Sequence, residues 1–189
     1  MFFLTFLTYN DKIDIGRDLI INVVIIMNSL LLVIDLQNSF INENTKNVPN
    51  NISNLIIKNK FNYIAFTKFV NDIHSQFYKI LGYKGCINAF DRRIVIDTKN
   101  NKIFEKRIYT AFNQELVQFI KANNISIIYL CGIDTDACVL KTAIDLFENN
   151  YNVKVIEDCS MSHSGKEFHE YAIKMLEKLI GKQNVVKML

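Results

Sequence analysis

The feature that most constrains this chain is a set of four short, unbroken apolar runs, at residues 30–34, 63–66, 125–131 and 153–156. None of them alternates apolar with polar. A strand covered on both faces has no polar side to show, so continuous Val/Ile/Leu runs mark strands buried inside a parallel sheet. Helical patterns fall between and after them. Residues 114–122 place Leu116, Phe119 and Ile120 on one face, and residues 139–149 place Leu140, Ala143, Ile144 and Phe147 on one face. Residues 167–180 do the same with Tyr171, Ala172, Met175, Leu176 and Leu179. Two further strands, at residues 94–97 and 103–106, flank Thr98-Lys99-Asn100-Asn101, which reads as the turn of a β-hairpin. Residues 41–51, with Pro49, read as a loop leading into a short helix. Strands alternating with helices predict an α/β fold. It is three-layered and Rossmann-like, with an open, mostly parallel sheet of about six strands and helices on both faces.

The length of 189 residues fits one domain, and 14 Phe and 8 Tyr in a half-apolar chain supply ample core. A formal net charge of +3, with acids and lysines interspersed, gives no basic stripe, so no nucleic-acid partner is expected. Met1 is followed by apolar residues with no basic region ahead of them, a poor secretory signal. The apolar stretch 19–34 is interrupted by Asn22, Asn28 and Ser29 and falls short of the ~20 residues of a membrane span. No membrane partner is expected. Met27 stands just before the first strand, so residues 1–26 read as an extension outside the native domain and residues 27–189 as the domain itself. Cys86, Cys131, Cys138 and Cys159 form no C-x-x-C pair and have no zinc-finger spacing to histidine. That argues against a thiol–disulfide protein and fits reduced thiols in a cytoplasm.

In an open parallel sheet, sites form at the carboxyl ends of the strands. Asp35 directly follows the first run. Gly132-Ile133-Asp134-Thr135-Asp136-Ala137-Cys138 follows the run at 125–131 and opens a helix, and Lys106 closes the strand at 103–106. An acid, a base and a thiol therefore converge on one edge. The free N–H groups of a helix start and a nearby ammonium favour thiolate at Cys138. Asp35 is placed to take the thiol proton and return it to a leaving amine. Free N–H groups near Asp134 and Cys138 are placed to hold an oxyanion. Taken singly, each residue has a plainer role: a structural cysteine, a turn carboxylate, a solvated lysine, and helix caps at Asp134 and Thr135.

The segments together say more. Val33-Ile34-Asp35-Leu36-Gln37-Asn38-Ser39-Phe40 resembles the first motif of the isochorismatase-like cysteine hydrolases. Lys106-Arg107-Ile108-Tyr109-Thr110-Ala111-Phe112 resembles their lysine motif, and Leu130-Cys131-Gly132-Ile133-Asp134-Thr135-Asp136-Ala137-Cys138-Val139 their nucleophile motif. Glu157-Asp158-Cys159-Ser160 and His169, opening the last helix, are also similar. The resemblance runs from about Met27 to the C-terminus. It implies Asp35 as general base and acid, Lys106 as electrostatic support and Cys138 as nucleophile. It also implies a cis peptide between Ile133 and Asp134 beside an oxyanion hole of Ile133, Asp134 and Cys138, and assembly as a homodimer or homotetramer.

Departures from the subfamilies narrow the expectation. Isochorismatases proper lack the nucleophilic cysteine, so Cys138 points to acyl transfer at a small amide or carbamoyl compound. Nicotinamidases carry an Asp-x-His metal pair after the second strand, where this chain has Phe69 and Asn71. Asp72 and His74 have the right letters three residues late, with no further histidine near. The expectation is a site without metal or cofactor, with a small molecule as its partner. Phe40, Phe69, Tyr109 and Phe112 are the candidate pocket lining, and His74, His163 and His169 read as surface or capping residues. Two other readings are a nicotinamidase with a displaced metal site and a non-catalytic binding module that keeps the pocket.

Overall fold

In a computed structural model, which describes residues 27–189, one six-stranded sheet runs through the molecule in the order β3-β2-β1-β4-β5-β6, with every neighbouring pair parallel. The expectation for residues 1–26 lies outside the described residues. The strands are β1 (Asn28–Ile34), β2 (Tyr63–Phe69), β3 (Lys102–Lys106), β4 (Ile125–Gly132), β5 (Val153–Ser160) and β6 (Val185–Val186). The helices are α1 (Val48–Lys58), α2 (Gln76–Lys79), α3 (Gln114–Ala122), α4 (Leu140–Glu148) and α5 (Lys166–Ile180). No helix among the described residues is long and apolar enough to cross a membrane.

Both faces of β1 are covered, which is why its run is continuous. Leu30, Leu32 and Ile34 pack in one layer with Leu116 and Ile120 of α3, Ala143 and Leu146 of α4, and Leu176 and Ile180 of α5. Leu31 and Val33 point the other way, into a second layer with Val48, Ile52 and Leu55 of α1. The predicted three-layer α/β architecture is thus the observed one. Connections leave β1 and β4 in opposite directions along the sheet, so the gap beyond their carboxyl ends is the topological switch point.

Four local readings differ from the structure, one of them on α4, where Phe147 is exposed and Leu146 is buried in its place. The hairpin of residues 94–97 and 103–106 does not form. Lys102–Lys106 pairs parallel to β2, from Ala65 with Lys102 to Phe69 with Lys106. This register sends Phe104 into one core layer and Ile103 into the other, burial that a solvent-facing hairpin would forgo. Ile94 instead makes a lone antiparallel bridge to Gln37, and the Val95 N–H donates to the Leu36 carbonyl at 3.0 Å. The loop before α1 is also shorter than predicted, because Pro49 sits in the first helical turn, where its missing N–H is no loss. On α5, Ala172 and Leu176 are buried as predicted, but Tyr171, Met175 and Leu179 are exposed, and Ile173 and Ile180 complete the buried face.

Candidate active site

Asp35 caps β1 with a left-handed backbone (φ 44) and is fully buried. Its Oδ1 accepts from the Thr67 hydroxyl of β2 at 2.6 Å, and its own N–H donates to Thr67 Oγ1 at 3.0 Å. Its Oδ2 pairs with Lys106 Nζ, brought by β3, at 2.6 Å. The same ammonium donates to the carbonyls of Ile108 and Tyr109 at 3.0 and 2.9 Å and lies 3.4 Å from Cys138 Sγ. The structure therefore brings Asp35, Lys106 and Cys138 into contact from three different strands' ends. Burial works against the charge on Lys106, but Asp35 and Cys138 outweigh it and raise its pKa.

Cys138 lies in a π-type turn, Thr135–Val139, that runs directly into α4, and it is buried. The expectation of a readily formed thiolate is reversed here. Burial and the Asp35 carboxylate push the Cys138 pKa well up, with Lys106 pulling the other way. Burial also raises Cys131, Cys86 (to about 11) and Cys159 (to about 12). Among the described residues, Cys138 is the thiol that touches an ammonium.

The loop that delivers Cys138 depends on Gly132, whose φ is +124. A Cβ there would stand 2.1 Å from the Ile34 carbonyl oxygen, so only glycine lets β1 and β4 approach this closely. The Ile133–Asp134 peptide is cis. The Ile133 N–H donates to the Ile34 carbonyl at 3.0 Å, which removes it from the expected oxyanion donors and leaves the amides of Asp134 and Cys138. Asp134 does not cap the helix with its side chain. Its Oδ1 accepts from the His163 backbone N–H at 2.7 Å, and its Oδ2 lies 2.6 Å from His163 Nδ1.

A cavity of about 270 Å³ opens over Cys138, lined by Phe40, Phe69, Phe77, Tyr83, Tyr109 and His163 with Leu81, Asp134, Asp136 and Ala137. Its aromatic wall is mutually packed: the Phe77 ring centroid lies 4.9 Å from both Phe69 and Tyr109, and Phe40 stacks on Tyr83 at 5.8 Å. Of the expected lining, Phe112 is absent. Its ring packs on the α3–α4–α5 side of the sheet and meets Tyr151 at 5.9 Å, because the chain turns inward after Tyr109 and buries Ala111. Sequence reasoning missed His163, Phe77 and Tyr83. His163 was open to the strand-end filter, since β5 runs on to Ser160 rather than stopping at Ile156. Phe77 and Tyr83 carry no such signal, because they sit in and after the four-residue helix α2.

The residues at the nicotinamidase metal positions do not suit a metal. Phe69 is part of the aromatic wall. The Asn71 amide donates to the carbonyls of Tyr83 and Gly85, and its oxygen accepts from the Asp72 N–H and the Ser75 hydroxyl. Asp72 pairs with Arg107 at 3.1 Å and accepts the His74 backbone N–H at 2.7 Å, while the His74 side chain is exposed. No step of the chemistry is routed through a metal.

One ammonium in contact with both a carboxylate and a thiol thus lies at the switch point of a parallel sheet. The profile of the isochorismatase domain matches residues 29–185, and the chain belongs to that family of isochorismatase-like hydrolases. Isochorismatase family protein 2A of Dictyostelium discoideum is 31% identical over 149 residues, 73% of this chain and 68% of the relative. In structure, the nicotinamidase PncA from Bacillus subtilis superposes with a TM-score of 0.74 at 24% identity, over 85% of this chain and 100% of the other. N-carbamoylsarcosine amidase from Thermoplasma acidophilum gives 0.71 at 22% identity, over 85% and 96%. At those identities the two structures speak for the fold alone.

Proposed function

We propose that the chain is a cysteine amidohydrolase that cleaves a C–N bond of a small amide or carbamoyl compound. The observation that carries this reading is the single ammonium of Lys106 bridging Asp35 at 2.6 Å and Cys138 at 3.4 Å under an aromatic cavity. Asp35 takes the Cys138 proton as the sulfur attacks the substrate carbonyl, so the thiolate forms only as the C–S bond does. The amides of Asp134 and Cys138 hold the developing oxyanion, an arrangement in which each donor is worth ~2.7–4 kcal/mol. Asp35 returns the proton to the departing amine or ammonia as the C–N bond breaks, which leaves a thioester on Cys138. Water then attacks the thioester. Asp35 accepts its proton, and the acid is released as the thiol re-forms. Lys106 holds the carboxylate in place throughout and offsets negative charge on oxygen and sulfur.

The small cavity and its flat aromatic walls suit a compact, planar substrate. The fold neighbours named for nicotinamide and N-carbamoylsarcosine set the range of amides and ureides to examine. The protein is proposed to work in the cytoplasm. The test is a screen of wild type and Cys138→Ala against small amides and ureides, with intact mass spectrometry to trap the acyl-enzyme. Wild type should release amine or ammonia and carry the acyl mass on Cys138, and Cys138→Ala should do neither. Turnover that survives Cys138→Ala sinks the mechanism.

A further inference from the structure

The cavity over Cys138 joins an aromatic wall to an uncompensated negative charge. Phe40, Phe69, Phe77, Tyr83 and Tyr109 form the wall. The charged lining is Asp134, Asp136 and His163, and among the described residues no lysine or arginine lines the cavity. Lys106, in contact with Cys138, is already taken by Asp35 and by the carbonyls of Ile108 and Tyr109. Both oxygens of Asp134 are held by His163, one through its backbone N–H and one through its ring. When His163 is protonated that pair is neutral, and Asp136 alone makes the lining anionic. When His163 is neutral the lining is more anionic still.

Asp136 is the acid left over. Its Oδ1 is shut off from solvent and, among the described residues, has no hydrogen-bond partner. A carboxylate oxygen buried in that way works against folding, so a native fold that keeps one calls for a reason. The reason lies in where the turn puts it. Asp136 and Cys138 stand two residues apart in the turn Thr135–Val139, which holds their Cα atoms within about 7 Å. The charge is therefore close enough to the nucleophile to read the part of a substrate that lies a few bonds from the scissile carbonyl. The wall acts in the same sense, because aromatic faces attract cations. Phe69 already does so for the Lys106 ammonium, which lies 5.3 Å from its ring centroid.

Resting on the amidohydrolase reading, we propose that Asp136 is the specificity-determining residue of the site and selects a cationic substrate. That substrate is a small amide with an ammonium a few bonds from the scissile carbonyl, seated on Asp136 and against the aromatic wall. An amide that carries a carboxylate in that place meets like charge and finds no free cation to pair with.

The test is binding to full-length Cys138→Ala by isothermal titration calorimetry, a variant that removes the chemistry and keeps the cavity. The probes are three meta-substituted benzamides of similar shape, carrying aminomethyl (an ammonium at neutral pH), hydroxymethyl or carboxylate. The ammonium should bind at least about tenfold tighter than the alcohol, and the carboxylate at least about tenfold weaker. Adding Asp136→Asn should bring the ammonium and the alcohol within about twofold of each other, and Asp136→Lys should reverse the order of ammonium and carboxylate. Should the Asp136 variants fold poorly by circular dichroism, a crystal structure of Cys138→Ala with the ammonium probe decides. Its nitrogen should lie within about 3.2 Å of an Asp136 carboxylate oxygen. This proposal and the mechanism fail separately: turnover that survives Cys138→Ala sinks the nucleophile and leaves the binding order standing. Equal affinity for the three probes, no measurable binding of the ammonium at millimolar concentration, a preference that Asp136→Asn leaves intact, or a probe nitrogen seated away from Asp136 overturns the proposal, even where turnover depends on Cys138.

Discussion

The ammonium of Lys106 stands 2.6 Å from Asp35 Oδ2, and the two side chains are 2% and 0% exposed. A charge pair this far from water costs heavily to form, and removing one partner leaves the other buried and uncompensated. From sequence, Asp35→Asn is expected to inactivate without unfolding. The burial of the pair changes that expectation. Asp35→Asn should abolish turnover and also lower stability by ~3–5 kcal/mol, read from urea denaturation beside the product assay. The double variant Asp35→Asn/Lys106→Met removes both charges and should recover most of that stability while staying inactive. An Asp35→Asn protein as stable as wild type would mean that the pair does not exist as described.

Thr67 is the second hold on the carboxylate. Its hydroxyl donates to Asp35 Oδ1 and accepts from the Asp35 N–H, so it fixes both the side chain and the left-handed backbone that points it at Cys138. Thr67→Val keeps the shape and deletes both bonds. A hydrogen bond to a charged group contributes about 1.5–3 kcal/mol, so a loss of that size is expected in denaturant melts. The fall in activity should appear in kcat rather than KM, because Thr67 does not line the cavity.

How far this site was legible follows from which residues lie on regular elements. Asp35 and Cys138 follow β1 and β4, whose ends the continuous apolar runs locate within a residue, whereas Lys106 closes β3, which the sequence reads as one arm of a hairpin. Phe40 and Tyr109 lie within a few residues of such ends and do line the cavity, but Phe112 is three further along a turning chain and packs on the other side of the sheet. Gln37 shows what a motif letter conceals. Fully buried, it accepts the Phe69 N–H at 2.7 Å and donates to the carbonyls of Phe69 and Arg92, tying β1, β2 and the loop before β3 together. No periodicity encodes that role, nor the parallel pairing of β3, which depends on partners distant in sequence. The lowered thiol pKa expected at Cys138 failed for a similar reason: position at a helix start is local, whereas the burial that overrides it is set by the whole sheet.

Gly132 should tolerate no side chain. The nearest atoms to an added Cβ are the backbone oxygen, nitrogen and carbonyl carbon of Ile34 at 2.1, 2.8 and 2.9 Å, inside the central strand pair, where nothing flexible can move aside. Gly132→Ala must either part β1 from β4 or leave φ +124, and both disturb the loop bearing Cys138. A loss of about 4 kcal/mol or more is expected in thermal or urea unfolding, with turnover falling in whatever fraction remains folded. A variant within about 0.5 kcal/mol of wild type would contradict the close approach.

The pair of His163 and Asp134 makes stability depend on pH in a definite direction. The hydrogen bond that His163 donates to Asp134 raises the His163 pKa against partial burial, and the charges of Asp134 and Asp136 add to it. A histidine raised in the folded state stabilises the fold fully below its unfolded pKa of about 6.5, and that contribution fades as pH climbs through the folded value. His169 acts in the opposite sense. Burial lowers its pKa, against Glu157, Glu170 and Asp136, so its neutral form is favoured and protonation opposes folding as pH drops below about 6.5. The two slopes partly cancel in the wild-type profile, so the informative quantity is the difference between wild type and His163→Gln. That difference should be greatest below about pH 6, with the variant less stable, and should shrink as pH rises through the folded value. Asp134→Asn should remove the same pH-dependent component. A difference that stays constant across the range would show that the charge of His163 is not engaged by Asp134, and that only the neutral N–H bond holds the ring at the mouth of the cavity.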